Sequence, residues 1–425
     1  MSYESRHVAA AFLAGTTVTY LAFAAWQYLA SQPDQTQTAR RRRTKLGLAK
    51  SSPVSNKSPG HDDPNSPFIS QSGVGVGIES TISNTPLVLI KSLSEHTGCT
   101  ILGKCEFLNG AGNSPKDRVA LSIINKAEAE GLLTPHSGDT IYEGTVGSTG
   151  ISLATLARAR GYKAHILMPS DQATEKSDLL VKLGAIVERV TPAPIVDQMH
   201  FVNRARNLAK DHTANPQKPG RGLFADQFET DANWRAHYEG TAPEIHEQTD
   251  GKIDAFVAGA GTGGTISGCA KYFKEKLGAN VQVVLADPQG SGLYNKVKHG
   301  VMFHGLEREG TRRRQQVDTV VEGIGLTRST RNFEIGSDHI DDAIKITDGQ
   351  ARRMARWLCE KDGIFVGSSS SVNCYAAVKT ALQLGPGHTV VTILCDSGMR
   401  HLSKFWKQVG DVGGEEDMTF EDLMK

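Results

Sequence analysis

Two glycine-rich turns and one lysine motif hold the chemistry-bearing residues. The first turn is Gly259-Ala260-Gly261-Thr262-Gly263-Gly264-Thr265, which follows an apolar run and opens a helical pattern. Glycines let the backbone approach a phosphate, and the free N–H groups of a helix start point at it. Thr262 and Thr265 add hydroxyl donors. The same residues satisfy G-x-G-x-x-G, and Asp287 ends the next apolar run where a dinucleotide ribose partner would stand. A nicotinamide site and a plain structural turn are therefore both open readings. The second turn, Gly144-Thr145-Val146-Gly147-Ser148-Thr149-Gly150, offers another group of amides and hydroxyls suited to a carboxylate. Two anion-binding turns suggest a phosphorylated cofactor and a small acidic substrate; two ordinary strand-to-helix turns are the plain alternative. The lysine is Lys116, in Asn113-Ser114-Pro115-Lys116-Asp117-Arg118. Ser114 fits an N-cap and Pro115 the first helical position. A cation in a first turn is disfavoured by the helix macrodipole, which lowers its pKa. A neutral amine can attack a carbonyl and form a Schiff base. The alternative is an exposed lysine paired with Asp117.

Alternating short apolar and longer amphipathic runs must position these residues. Strands are expected at 87–90, 100–106, 140–143, 163–168, 185–190, 255–258, 282–286 and 390–394. Helices are expected at 116–130, 149–160, 175–182, 265–277, 348–362 and 372–384. The alternation reads as α/β with mostly parallel sheets. The chain has 425 residues and a net charge of +1, a balance that argues against a broad basic face for nucleic acid. Glycine, 44 residues or about 10%, exceeds the usual ~7%, in keeping with close backbone approaches. The six cysteines form no C-x-x-C pair, so neither a disulfide framework nor a metal site is expected.

Residues 8–30 carry no charge and are long enough to span a ~30 Å hydrocarbon core. Residues 1–30 read as a single N-terminal transmembrane anchor, with a cleaved signal peptide as the alternative. The basic run Arg40 to Arg43 follows it, which keeps the bulk of the chain cytosolic. The segment's character resembles mitochondrial outer-membrane signal anchors; an endoplasmic-reticulum anchor is the other reading. Residues 31–75, rich in proline, serine and arginine, read as a disordered tether. Residues 76–410 form the catalytic unit, and 411–425 an acidic tail or short terminal helix.

Taken together, the segments resemble the cysteine synthase / cystathionine β-synthase family of pyridoxal-phosphate enzymes, from Asn84-Thr85-Pro86-Leu87 to about Phe405. The layout is most like a membrane-anchored fungal-type member. The resemblance implies fold type II, similar to the tryptophan synthase β subunit: two α/β domains with pyridoxal 5'-phosphate in the cleft, the smaller mobile one at about 118–212. It implies that Lys116 holds the cofactor and acts as acid and base, and that Gly261, Thr262, Gly263, Gly264 and Thr265 cradle its phosphate. It gives Ser369, in Gly367-Ser368-Ser369-Ser370, the pyridine nitrogen. Thr145, Gly147, Thr149 and Gln227 fall to the substrate, and Ser148 to the cofactor. Val321-Glu322-Gly323-Ile324-Gly325 follows family wording as well. A homodimer is implied, with no metal and no nucleic acid.

Departures bear on the activity. The usual T-S-G-N-T-G loop has Val146 for serine and Ser148 for asparagine. Residues 300–315 look inserted. The expected reaction is β-replacement, joining sulfide to O-acetyl-L-serine to give L-cysteine. The rivals are cystathionine synthesis, cysteine desulfhydration, a nicotinamide oxidoreductase, and a degenerate anchored member without catalysis.

Overall fold

The computed structural model describes residues 74–425 apart from 173, 279, 304–318 and 414–417. Among the described residues, ten strands form two sheets. The six-stranded sheet has the order β1-β2-β10-β7-β8-β9, made of Leu87–Leu89, Thr100–Cys105, Thr389–Leu394, Ala255–Gly259, Gln282–Pro288 and Asp342–Ile346. Its β1 is antiparallel to β2, and its other pairs are parallel. The four-stranded sheet is parallel throughout, in the order β5-β4-β3-β6: Ile186–Val190, Lys163–Pro169, Thr140–Gly144 and Gly222–Phe224.

Side chains of a strand point alternately to opposite faces, and a parallel sheet is covered on both. The central strands show why their sequence is apolar throughout. Ala255 and Val257 of β7, with Val284 and Ala286 of β8, enter one core. Phe256 and Ala258, with Val283 and Leu285, enter the core on the other face. That second core also takes Tyr142 and Leu167 from the small sheet, so one apolar layer joins the two sheets. A third core, with Ile141 and Ile166, covers the small sheet's other face.

Two strands escape the sequence reading. β6 has only three residues, and β9, Asp-Ala-Ile-Lys-Ile, is half polar. β6 carries the small sheet past residue 212. The helix Ser368–Leu384 begins four residues before the expected 372, because a run of four serines has little helical signal of its own. All four are buried. The end of the chain holds a short helix, Phe420–Met424, which buries Leu423 under a Thr419–Asp422 capping box.

The expected transmembrane helix is corrected here, and the outer-membrane or endoplasmic-reticulum location with it. Among the described residues no helix is long and apolar enough to cross a membrane. The longest described helix, Ser368–Leu384, has 17 residues and starts on serines, short of the ~20 apolar residues a span needs. Residues 8–30, on which the anchor was placed, lie outside the described residues, as do 31–73 of the expected tether and most of the expected insertion at 300–315.

A buried ion network ties the helix Lys116–Ala129 to the large sheet. Arg118 donates to both oxygens of Glu106 at 2.7 and 2.8 Å, and to both of Glu244 at 2.6 and 2.8 Å. Lys104, at the end of β2, adds a 2.7 Å bond to Glu244. Burial works against these charges: at Glu244 the partners outweigh it and hold the carboxyl down at about 2, while at Lys104 burial prevails and pushes the amine's pKa down. Removing one member strands the others without water. Arg118→Met is expected to cost about 3–5 kcal/mol, read as a lower urea midpoint; a loss below about 1 kcal/mol, the scale of an exposed pair, would contradict the network's role.

Candidate active site

Each turn singled out in the sequence sits at the carboxyl end of a parallel strand. β3 runs into the turn at 144–150 and the helix Ser148–Ala159; β7 runs into the glycine turn and the helix Gly264–Lys276. Open α/β sheets bind ligands at these ends. The two turns face each other across a cleft of about 430 Å³. Lys116, Thr145, Gly147, Ser148, Thr149 and Gln227 line it from the side of the small sheet; Gly261, Thr262, Gly263, Thr265 and Ser369 line it from the large sheet. Gly264 does not line the cleft. Its Cα faces Asn233, whose Oδ1 lies 2.0 Å from where a Cβ would be, so this glycine serves packing.

Lys116 is the first residue of its helix, after Pro115. Ser114 Oγ accepts the Lys116 N–H at 3.3 Å, but the helix starts one residue later than expected, so Pro115 and not Ser114 stands at the N-cap. Asp117 is not the partner of Lys116. Its carboxylate accepts from the Gly112 N–H at 2.7 Å and from Ser152 Oγ at 2.5 Å. The Lys116 amine has no hydrogen-bond partner among the described residues. Burial pushes its pKa down, against smaller upward pulls from Cys395, Asp396 and Glu106. The lowering read from the helix start is present, and desolvation is its main cause.

The glycine turn is shaped by close approaches. A Cβ on Gly261 would lie 1.9 Å from the Gly323 carbonyl oxygen, and Gly263 has φ +89° with its Cα against Phe333. Thr262 Oγ1 accepts from Asn233 Nδ2 at 2.9 Å, and its carbonyl accepts from Thr330 at 2.8 Å. Thr265 Oγ1 meets His237 Nε2 at 3.2 Å. Burial, with Lys116 and Arg118 nearby, holds His237 well below its usual range, so it is neutral. First-turn amides of a helix lack intrahelical partners, and Gly263 and Thr265 at this helix start line the cleft. A free buried amine opposite an amide-rich turn fits a phosphorylated aldehyde cofactor.

In the substrate turn, Thr149 Oγ1 donates to Gln227 Oε1 at 2.5 Å, and Gln227 Nε2 donates to Glu143 Oε1 at 3.1 Å. Asp287, the candidate ribose partner, points elsewhere. It accepts the Tyr294 N–H at 2.8 Å, lies 3.9 Å from Lys345 and does not reach the cleft.

The structure adds wall residues to which sequence reading assigned no role. The Cys395 thiol, bonded to Ser369, is raised by burial to about 12 and stays protonated. Asp396 meets His401 Nε2 at 3.0 Å. Glu322 and Lys176 pair at 2.7 Å. Glu322 lay in a motif already noted; Lys176 and His401 carry no local signal.

A family model described as "Pyridoxal-phosphate dependent enzyme" matches residues 78–396. The chain belongs to the pyridoxal-phosphate dependent enzymes. Within that class it is 68% identical over 357 residues to "Cysteine synthase 2" of Emericella nidulans, covering 82% of this chain and 83% of that protein. It is 60% identical to "Cysteine synthase 2" of Schizosaccharomyces pombe, over 78% of this chain and 84% of that one. The crystal structure of O-ureido-L-serine synthase superposes with a TM-score of 0.68 at 28% identity, covering 80% of this chain and 98% of that one.

Glu143, beneath Gln227, is pushed by burial from 4.5 up to about 8. The fold therefore holds a proton there that the unfolded chain releases, and loses stability as pH rises from about 4.5 to about 8. Glu143→Gln is expected to flatten the fall in Tm across that window; an unchanged slope would contradict the assignment.

Proposed function

We propose that the chain is a cysteine synthase, which replaces the acetoxy group of O-acetyl-L-serine with sulfide to yield L-cysteine and acetate. The carrying observation is the convergence of the free, buried Lys116 amine and two anion-binding turns on one cleft, in a chain 60–68% identical to proteins named cysteine synthase 2.

Lys116 would hold pyridoxal 5'-phosphate through its amine and, once released, would take the proton from the substrate Cα. Gly261, Thr262, Gly263 and Thr265 would hold the phosphate with backbone amides and hydroxyls, and Ser369 would stand toward the pyridine nitrogen. The bound cofactor supplies an electron sink for negative charge at Cα. A neutral hydroxyl at Ser369 would leave that charge free to expel the β-substituent: the Cβ–O bond would break and acetate leave with the electron pair, then hydrosulfide would form the new C–S bond and Lys116 return the proton to Cα. Thr145, Gly147, Thr149 and Gln227 hold the substrate carboxylate. The Thr149–Gln227 bond and Glu143 behind it keep those donors in place. Closure of the small sheet's side over the substrate keeps water out. The enzyme works as a homodimer, which equilibrium sedimentation measures.

Ser148 is shorter than the asparagine usual in the family and offers one oxygen. A lost hydrogen bond to a charged partner is worth ~1.5–3 kcal/mol, roughly 10–150-fold in the affected step. Ser148→Asn is therefore expected to raise turnover with O-acetylserine and sulfide. Loss of activity with an unaltered cofactor spectrum would mean that serine is adapted to another substrate. Lys116→Ala is expected to abolish both the cofactor's visible absorbance and turnover. In the wild type, borohydride reduction and peptide mapping should tag Lys116; a tag on a different lysine would sink the assignment.

A further inference from the structure

At the mouth of the cleft, Glu322 gathers three basic side chains. Lys176 Nζ lies 2.7 Å from its Oε2, Lys404 Nζ 3.4 Å from its Oε1, and His401 Nδ1 3.6 Å from its Oε2. Lys176 comes from the helix Thr174–Lys182 beside the small sheet; His401 and Lys404 come from the segment after β10. The Glu322 N–H donates to Ser368 Oγ at 2.9 Å, which fixes the residue against the helix Ser368–Leu384. All four side chains line the cleft, and Glu322 is nearly buried. Burial opposes charge on Glu322, but Lys176, Lys404 and His401 outweigh it and hold the carboxyl below its usual range.

The placement of Lys176 gives this cluster a bearing on substrate. Its side chain lies over the substrate turn: Cδ is 3.5 Å and Nζ 3.9 Å from where a Gly147 Cβ would be. A substrate whose carboxylate sits on that turn lies within reach of Lys176. Unpaired, Lys176 and Lys404 would draw a second negative charge into a partly desolvated cleft, where charge attraction is stronger than in water. With Glu322 between them, the summed charge of the three groups falls from +2 to +1, and each ammonium already has a carboxylate oxygen beside it. We propose that Glu322 is a specificity-determining residue, which occupies Lys176 and Lys404 so that the cleft selects alanine derivatives with an uncharged β-substituent, such as the acetyl ester, over anionic ones such as the phosphate ester. This rests on the β-replacement reading and goes beyond it by assigning the charge class of the leaving group to named residues.

A purely structural clasp makes a different prediction. If Glu322 only joined the two sides of the cleft, its loss would slow both esters alike. The test uses the full chain loaded with cofactor, so that the glycine turn is filled. The variants are Glu322→Gln, Lys176→Met and the double variant. The measurements are kcat/KM for O-acetyl-L-serine and O-phospho-L-serine with sulfide, and calorimetric binding of inorganic phosphate. Wild type is expected to favour the acetyl ester. Glu322→Gln is expected to raise the phospho-to-acetyl ratio by about tenfold or more and to tighten phosphate binding similarly, as loss of a charged partner predicts. Adding Lys176→Met should reverse most of both changes. A ratio and a phosphate affinity within about twofold of wild type in cofactor-loaded Glu322→Gln would overturn the proposal, as would a wild type that prefers the phosphate ester. Should wild type consume neither ester, the cysteine synthase reading fails, while phosphate binding still decides whether Glu322 masks the two lysines.

Discussion

An amine attacks a carbonyl only when it is uncharged, and the site depends on how the fold pushes Lys116 toward that state. The helix start is a small part of the answer. The larger part is the removal of water around the amine by the walls of the cleft. Burial costs an ammonium ion more than it costs an amine, so the same packing that encloses the cleft prepares its lysine. Neighbouring carboxylates work in the opposite direction, and the structure keeps them occupied. Asp117 is taken by backbone amides and Ser152, Glu106 by Arg118, and Asp396 by His401.

Enclosing the cleft requires two sheets to meet at their carboxyl ends. The apolar layer shared by Phe256, Leu285, Tyr142 and Leu167 makes that junction. The Arg118 network then fixes the helix that carries Lys116 to the end of β2. Because Arg118 is two residues from Lys116, the ion network and the reactive amine share one helical turn. The helix cannot shift without breaking bonds in a region that water does not reach.

Glycine serves two purposes around the site. Gly261 and Gly263 allow the loop to lie against Gly323 and Phe333, which leaves its amides open to the cleft. Gly367 allows another approach: a Cβ there would stand 2.2 Å from Asp396 Oδ1 and 2.5 Å from His401 Nε2. The Asp396–His401 pair thus closes over the start of the serine-rich helix, beside Ser369 and the Glu322 cluster.

Local pattern was enough to single out the lysine motif and the two anion-binding turns, because each depends on residue types within a few positions of one another; Ser369 and Gln227 came from the family resemblance. The apolar runs of β7, β8 and β10 were legible for the same reason. Short β6, half-polar β9 and the serine-rich start of the helix Ser368–Leu384 were not, since their state depends on neighbours far along the chain. Only the tertiary structure separated Gly264, a packing glycine, from the rest of its motif, and turned Asp287 away from the cleft. It alone joined Lys176, Glu322, His401 and Lys404, which span more than two hundred positions of sequence. Coulomb attraction acts through space, and the chain does not record which charges folding will bring within 4 Å.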